Sequence, residues 1–279
     1  MASQPPTRID SRHNPLIRRV KRLQEQSRAR RKQNAFVIEG AVFISRAMAG
    51  HRGIETLLFC DTLLDEAGRS LVRQLRTDGV SCVALTQPVF EHVSELNNPD
   101  GLAAIVTGGR TDLDSLEVSE ADVFVCLSDI SDPGNLGTIL RTIDSAGASG
   151  CILVGESTDP YHPRAIRAGR GALFSVRVVH AADMDAVWTW ARRRHVQTVA
   201  TSARAERSIW QAELPLPLLF ILGNEHEGLP QSAIDAADQR VTIPMRGSMS
   251  SLNVAVAAAL LLYEVRRRQA SGPDERESN

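Results

Sequence analysis

A run of ten consecutive apolar residues near the end of the chain, Val254–Tyr263, limits what this sequence can fold into. Its length predicts a helix, and because every position is apolar we expect that helix to be buried on all sides. It is too short to cross a bilayer, which takes about 20 residues. A polar loop, Ile243–Asn253, precedes it, and the side chain of Ser251 or Asn253 can cap the first helical turn. The free amides of that turn also form a favourable seat for a polar or anionic ligand.

Alternating strand and helix patterns fill most of the chain and predict two α/β domains. We predict a flexible tail at 1–12, a first domain at 13–107, a linker at 108–120, a second domain at 121–268 and a second tail at 269–279. The strands of the second domain are almost continuously apolar, which is typical of a parallel sheet covered by helices on both faces. Local patterns also predict one helix over 15–32, a strand over 173–179 and a final strand over 241–243.

The sequence favours a cytoplasmic protein with no metal centre and no membrane partner. Its first residues lack the apolar segment of a signal peptide. The cysteines form no CxxC pair and no cluster with histidine, which indicates a reducing compartment and argues against structural zinc. These cysteines are Cys60, Cys82, Cys126 and Cys151.

A basic block near the N-terminus contrasts with the net charge of −1 for the whole chain. Between Arg8 and Lys32 there are ten basic residues and two acidic ones. This density of one sign predicts a surface that binds phosphate groups, although a solvated helix face gives the same pattern. The candidates for phosphate contact are Arg18, Arg19, Arg22, Arg28, Arg30, Arg31 and Lys32.

Three loops in the second half carry polar residues at the predicted carboxyl ends of strands. The first contains a Pro-Gly turn, then Asn135 as a candidate helix cap, and Arg141 six residues further on, which is more than one helical turn. The second is Leu222–Pro230, where Gly223 lets a ligand approach the backbone closely, and the third is Ile243–Asn253. Taken singly, each also fits a plain capped helix or an acidic turn. Because ligands of parallel sheets bind beyond the carboxyl ends of strands, the three loops together predict one shared site.

Several common site motifs are absent from the sequence. There is no GxGxxG for a dinucleotide, no GxxxxGK[ST] for nucleotide phosphates and no HExxH for a zinc protease. The stretch Gly247–Ser251 lacks the final glycine of GxSxG, which argues against a hydrolase nucleophile elbow.

The motifs of the three loops resemble those of the SpoU/TrmH family, RNA ribose 2′-O-methyltransferases of the SPOUT class. They read N-x-G-x-x-x-R from Asn135, L-G-N-E-x-x-G-L from Leu222, and I-P-M-x-G-x-x-x-S-L-N-V from Ile243. In the first half, Phe36–Gly40 and Asn98–Ala104 resemble segments of that family's N-terminal substrate-binding domain, which is similar to ribosomal protein L30e. The resemblance therefore covers nearly the whole chain.

This resemblance implies a C-terminal SPOUT α/β domain with a parallel sheet and a deep trefoil knot, preceded by a small L30e-like α/β domain. It also implies a homodimer formed through the knotted domain and S-adenosyl-L-methionine as the methyl donor. The residues matching the family's catalytic set are Asn135, Arg141, Glu225, Ser251 and Asn253. Those matching its cofactor-binding loops are Leu222, Gly223, Ile243, Met245 and Leu252.

The activity implied by the resemblance is methylation of a ribose 2′-hydroxyl in structured RNA, foremost 23S-type ribosomal RNA, with the basic block binding RNA phosphates. Two alternatives are a tRNA 2′-O-methyltransferase and a catalytically silent RNA-binding or ribosome-assembly protein. Arg141 is either a proton acceptor or a clamp for the target phosphate, and its chemistry favours the clamp because guanidinium is not readily deprotonated.

Overall fold

The structure, a computed structural model, describes residues 8–109 and 111–270. The chain divides into two compact units. The first comprises the described residues of Met1–Gly109 together with Tyr161–Ile166, and the second comprises those of Arg110–Pro160 and Arg167–Asn279.

The first unit is a small α/β fold around a mixed five-stranded sheet in the order β1-β4-β3-β5-β2, where β5 runs antiparallel to β2 and β3. Helix α1 buries Ile17, Val20 and Leu23 completely in its core, because these residues recur at helical spacing. The strands are β1 (Arg8–Ile9), β2 (Ala35–Glu39), β3 (Ile54–Phe59), β4 (Ser81–Leu85) and β5 (Leu102–Thr107). The helices are α1 (Pro15–Glu25), α2 (Ser27–Gln33), α3 (Ala41–Ala49), α4 (Glu66–Thr77) and α5 (Gln87–Val93).

The single helix predicted over 15–32 is wrong, because the chain breaks at Gln26. Its backbone is extended there, with φ −119° and ψ 109°, and its amide closes α1 by donating to the carbonyl of Arg22. The apolar stripe of α1 ends at Leu23, so α2 has no apolar face to continue it. Part of the predicted N-terminal tail is also structured: Arg8–Ile9 pairs with β4, and Ile9 is buried. Residues 1–7 and 271–279 of the predicted tails lie outside the described residues.

The second unit confirms the predicted parallel sheet. Its seven strands are ordered β12-β10-β11-β7-β8-β9-β6, and every neighbouring pair is parallel. The strands are β6 (Thr111–Asp112), β7 (Val123–Ser128), β8 (Gly150–Val154), β9 (Val178–His180), β10 (Gln197–Thr201), β11 (Leu218–Leu222) and β12 (Gln239–Val241). The helices are α6 (Pro133–Ser145), α8 (Met184–Arg193), α9 (Gln231–Ala236) and α10 (Val254–Ala270), and the short helix α7 (Pro163–Ala168) begins in the segment that belongs to the first unit.

Two strand predictions in this unit need correction. The predicted strand over 173–179 is a 3-10 turn at Ala172–Phe174 followed by β9, because Gly171 turns the chain at φ 82°. The final strand lies at Gln239–Val241 rather than at 241–243, since Thr242 forms only an isolated bridge with Ser208. Thr111–Asp112, within the segment predicted as a linker, pairs with β9.

The expectation that the apolar helix is buried on all sides is wrong. One face of α10 packs against α6 and β11, with Ala258, Leu261 and Leu262 almost completely buried. The other face leaves Val256, Leu260 and Tyr263 exposed by 47%, 46% and 52%. A helix in the outer layer of a sheet has only one covered side, so this second apolar stripe has no cover within its unit. No helix among the residues described is long and apolar enough to span a membrane.

Glu264 holds the last turns of α10 in place. Its carboxylate accepts hydrogen bonds from Arg267 at 2.9 Å and from Arg268 at 2.7 Å, and its side chain is only 7% exposed. Arg268 in turn donates to the carbonyls of Ile209 and Ala212. The bonds from Arg267 and Arg268 outweigh burial and hold the pKa of Glu264 at about 2.

We expect Glu264→Gln to lower the free energy of unfolding by about 2 kcal/mol at neutral pH. The folded-state pKa is below the ordinary value of 4.5, so this stabilisation is complete above pH 4.5 and is lost as the pH falls towards 2. Urea unfolding of both proteins across this range measures the difference. The control is Glu66→Gln, which removes an exposed pair with Arg73 and should change stability little. An equal difference at pH 7 and pH 3 would contradict the assignment.

Candidate active site

Three loops leave the carboxyl edge of the parallel sheet in the second unit. Strands β7 and β11 are neighbours, with Leu127 opposite Leu222, so the loop that begins α6 and the loop that begins at Gly223 emerge side by side. The third loop follows β12 and leads into α10. The fold therefore places polar side chains from three separate stretches of sequence at one edge, as predicted.

A chain of hydrogen bonds joins one residue from each loop. The side-chain nitrogen Nδ2 of Asn135 donates to Oε1 of Glu225 at 2.9 Å. The side-chain nitrogen Nδ2 of Asn253 donates to Oδ1 of Asn135 at 2.9 Å. Oδ1 of Asn253 accepts from the amides of Ala255 at 2.9 Å and Val256 at 3.4 Å, so it caps α10.

The direction of this chain follows from the chemistry of its two ends. A deprotonated carboxylate only accepts, so Asn135 presents its NH2 group to Glu225 and its carbonyl to Asn253. Asn253 then donates with its own NH2, which leaves its carbonyl for the free amides of the helix. Replacing any of the three residues by a non-isosteric side chain breaks a link between two loops.

The structure corrects one capping assignment and resolves another. Asp132, not Asn135, caps α6: its Oδ1 accepts from the amide of Asn135 at 2.8 Å. The side chain of Asn135 is thereby free for the hydrogen-bonded chain. The sequence signal that identifies Asp132 is Asp-Pro, since proline favours the first helical position and aspartate the cap before it. At α10, Asn253 is the cap rather than Ser251.

Asn224 fixes the second loop and was not among the predicted site residues. Its side-chain nitrogen Nδ2 donates to the backbone carbonyl of Asp129 at 2.7 Å, and its Oδ1 accepts from the backbone amide of His226 at 2.8 Å. Asp129 has φ 57°, and its carboxylate accepts from Ser128 and from the amide of Glu156. Asn224 therefore ties the second loop to the first and sets the position from which Glu225 reaches Asn135.

Glu225 is held in its charged form. Partial burial raises its pKa, but hydrogen bonds from Asn135 and from backbone amides of its own loop and of Ser131 and Asp132 lower it further, and the net shift is downward. Glu225 also accepts from the amide of Ser131 at 3.4 Å. A carboxylate with these partners serves as a structural acceptor and is a weak general base.

Arg141 and Ser251 are outside this chain of hydrogen bonds. Arg141 is exposed on α6, about 9 Å along the helix axis from Asn135, given 1.5 Å per residue. Within the described part of the chain, its guanidinium forms no hydrogen bond or ion pair. Ser251 is exposed in the third loop. Both side chains are therefore available to a bound molecule, and their catalytic roles stay predictions.

The predicted cofactor-binding residues lie in or next to the second and third loops, and most of them are apolar. Leu222 is buried, Gly223, Ile243 and Leu252 are half-buried, and Met245 is 38% exposed. Gly223 has a structural reason of its own, since a Cβ there would lie 2.2 Å from the backbone carbon of Gly228. Half-buried aliphatic side chains beside backbone amides and a carboxylate suit a ligand with a flat apolar ring and polar edges.

The basic block in the first unit contains residues of three kinds. Arg30 is buried, 3% exposed, and donates to the carbonyls of Leu23 and Gln24, so the structure contradicts its assignment as a phosphate contact. Arg19 is engaged by Glu55 and by Gln33. The other candidates are exposed: Arg18, Arg22, Arg28, Arg31 and Lys32.

Comparison with known proteins identifies related domains in both parts of the chain. Residues 122–263 match the SpoU rRNA Methylase family, and residues 14–104 match the MRM3-like substrate binding domain. Among curated proteins, the 23S rRNA (uridine(2479)-2′-O)-methyltransferase of Streptomyces viridochromogenes is 32% identical over 87% of this chain and 86% of its own length.

Solved structures show the same fold over nearly the whole length. The SpoU methyltransferase AviRb from Streptomyces viridochromogenes, in complex with the cofactor AdoMet, is 30% identical with a TM-score of 0.85, over 93% of this chain and 100% of that one. An AdoMet-bound rRNA methyltransferase from Sinorhizobium meliloti is 30% identical with a TM-score of 0.86, over 94% and 98%.

We expect Gly223→Ala to lower the free energy of unfolding by about 2 kcal/mol, because the new methyl group meets backbone that cannot move aside. Gly228→Ala is the matched control in the same loop: φ is 71° there, but a Cβ has no neighbour within 4 Å. Its cost should be the backbone strain alone, about 1 kcal/mol. Urea unfolding measures both values, and equal losses would show that the close approach at Gly223 does not matter.

Proposed function

Because the chain belongs to the SpoU rRNA Methylase family, we propose that it transfers a methyl group from S-adenosyl-L-methionine to a ribose 2′-hydroxyl of large-subunit ribosomal RNA. The observation that supports this most is the Glu225–Asn135–Asn253 chain of hydrogen bonds, which assembles the three motif loops at one edge of the sheet. The proposed place of action is the cytoplasm.

Ribosomal RNA is favoured over tRNA by the descriptions of the relatives and by how much of this chain they match. The 23S rRNA methyltransferase of Streptomyces viridochromogenes and the rRNA methyltransferase of Sinorhizobium meliloti carry rRNA in their descriptions and match this chain over both units. A catalytically silent RNA-binding protein is disfavoured because the polar set is complete, and such a protein has no need of an intact cofactor site. Calorimetry with S-adenosyl-L-methionine distinguishes a methyltransferase from a silent RNA-binding protein: no binding at millimolar donor would favour the silent protein.

The residues around the polar chain fit this cofactor. Ile243 and Leu252 are half-buried and offer aliphatic surface for a purine ring, and backbone amides of the second and third loops offer donors to its polar edges. When bound, S-adenosyl-L-methionine supplies an already activated methyl group. The protein therefore has two tasks: to align the ribose hydroxyl and to make it a better nucleophile.

Arg141 is proposed to perform the second task. Its guanidinium stays protonated, so it is suited to grip the phosphate next to the target ribose and to stabilise negative charge on the 2′-oxygen. The hydroxyl proton then passes to solvent, since Glu225 is already engaged by Asn135 and Ser131. Asn135, Glu225 and Asn253 hold the loops in register, and Ser251 is available to contact the ribose.

We further propose that the protein is a homodimer with the SPOUT trefoil knot in its second unit. The uncovered stripe of Val256, Leu260 and Tyr263 on α10 supports a second copy as its cover. In the first unit, the proposed RNA contacts are the exposed basic residues, namely Arg18, Arg22, Arg28, Arg31 and Lys32.

Arg141→Ala should lower methyl transfer to large-subunit rRNA by about 100-fold or more, the usual effect of removing a group that stabilises developing charge. Affinity for S-adenosyl-L-methionine should not change. The measurement is transfer of a labelled methyl group under single-turnover conditions, with binding of donor and RNA measured separately. Arg192→Ala, an exposed arginine on α8, is the control. Weaker RNA binding with a near-normal maximal rate would contradict a chemical role for Arg141.

Leu260→Glu should convert the dimer to a monomer, because a carboxylate would be buried in an apolar interface. We expect the dimer dissociation constant to rise by about 100-fold or more, measured by sedimentation equilibrium. Val42→Glu is the matched control, since Val42 is also apolar and 63% exposed but lies in the first unit. Dimers of unchanged stability in Leu260→Glu would place the interface elsewhere.

A further inference from the structure

The segment between β10 and β11 runs beside the third motif loop and is firmly anchored there. The amide of Ser202 donates to the carbonyl of Val241 at 3.0 Å. Thr242, the residue before the third loop, donates to the carbonyl of Arg207 and accepts from the amide of Ile209, both at 2.9 Å. The backbone at 207–209 therefore has a fixed position next to the start of that loop.

A second set of contacts holds the same segment against the core and against α10. Ile209 and Ala212 are 1% and 2% exposed, so their side chains are part of the core. Their carbonyls accept from Arg268 of α10 at 2.6 Å and 2.5 Å. A segment held on both sides in this way presents its outward side chains from a rigid base.

The outward side chains are Arg204, Arg207 and Trp210, which we call the 204–210 surface. Trp210 is 57% exposed, whereas the other two tryptophans, Trp188 and Trp190, are 8% and 3% exposed. A large indole ring left in water on a rigid segment indicates a surface that a partner covers. Its position, three residues from Arg207, puts an aromatic face and a cation on one short stretch.

Arg204 and Arg207 line a cleft of about 500 Å³ together with Ser202, Gln231 and Gln239. The cleft contains none of the residues proposed for cofactor binding. Neither guanidinium forms a hydrogen bond or ion pair with the residues that the structure describes. Both are therefore free to bind acceptor oxygens, whereas the side-chain amides of Gln231 and Gln239 already donate to Asp235 and to the carbonyl of Glu213.

Other charges at the cleft do not cancel these two arginines. Arg240 also lines it but is held by Asp235 at 3.3 Å and by the carbonyl of Ile234 at 3.0 Å. Asp238 is engaged by the hydroxyl and amide of Thr198 at 2.6 Å and 2.8 Å. The lining contains the basic residues Arg204, Arg207 and Arg240 and the acidic residues Glu206 and Asp238, and this difference of three minus two gives it a net charge of about +1.

We propose that the 204–210 surface binds the unpaired RNA strand adjacent to the target nucleotide. Arg204 and Arg207 contact its phosphates, and Trp210 stacks on one of its bases. Cations that track a backbone and an aromatic ring that stacks on bases are the two features of single-strand binding surfaces. This inference rests on the proposed function, and it adds a substrate contact on the second unit that none of the three motifs contains.

The first test measures binding of a short single-stranded RNA of mixed sequence to the full-length protein. Trp210→Ala should weaken binding by about tenfold, whereas Trp210→Phe, which keeps a ring, should weaken it much less. Arg204→Ala/Arg207→Ala should reduce the slope of log affinity against log salt by about 0.7 per lost phosphate contact. The matched control is Arg192→Ala/Arg193→Ala, which removes the same charge at the opposite edge of the sheet, where β10 begins.

Tryptophan fluorescence gives a second readout, since Trp210 is the exposed tryptophan. Single-stranded RNA should quench the emission of the wild type and leave that of Trp210→Phe almost unchanged, and an RNA duplex of equal length should quench less.

The outcomes separate this inference from the proposed function. If the wild type methylates rRNA but the Trp210 and arginine variants bind and methylate as it does, the inference is overturned and the proposed function stands. If the wild type binds neither S-adenosyl-L-methionine nor rRNA, the proposed function itself fails. Sedimentation of Trp210→Ala tests the remaining occupant: a shift from dimer to monomer would assign the ring to a second copy of the chain and overturn the RNA contact.

Discussion

The hydrogen-bonded chain from Glu225 through Asn135 to Asn253 is the interaction that holds the candidate active site of the second unit together. It connects three loops that are far apart in sequence, and each link has one possible direction because the carboxylate only accepts and the helix amides only donate. The lowered pKa of Glu225 keeps the accepting end charged. Three of the five residues that the family resemblance assigns to catalysis, Asn135, Glu225 and Asn253, therefore also hold the loops together, so removing one of them changes the geometry of the loops.

Helix α10 relates this site to two surfaces of the unit. Asn253 starts the helix inside the polar chain, and Glu264 near its end positions Arg268, which supports the 202–212 segment from below. Between these ends, one apolar face packs in the core and the other is exposed, where we propose that a second copy covers it. One helix thus contributes to the site, the proposed dimer interface and the proposed single-strand surface, which explains why its sequence is apolar on both faces.

The sequence was sufficient for the features that depend on local pattern. Continuous apolar strands predicted the parallel sheet, and the polar residues after β7, β11 and β12 predicted that these three loops meet at one edge of it. It was insufficient where a tertiary partner decides. Arg30 is buried because its guanidinium donates to the carbonyls of Leu23 and Gln24. The stripe on α10 is exposed because no other element among the described residues of the second unit packs on that face of the helix. Asp132 was missed because Asn135 is an equally good cap by type. The roles of Arg141 and Ser251 still rest on the family resemblance.

The most direct measurement of the central claim is a map of 2′-O-methylated riboses in the ribosomal RNA of cells with and without this protein. A ribose methylation in the large-subunit rRNA should disappear in the cells without the protein. The wild-type chain should restore it, and Asn135→Ala, which breaks the hydrogen-bonded chain at its centre, should not. An identical map in both cells would contradict the proposed function, and full restoration by Asn135→Ala would contradict the place given to the chain of hydrogen bonds.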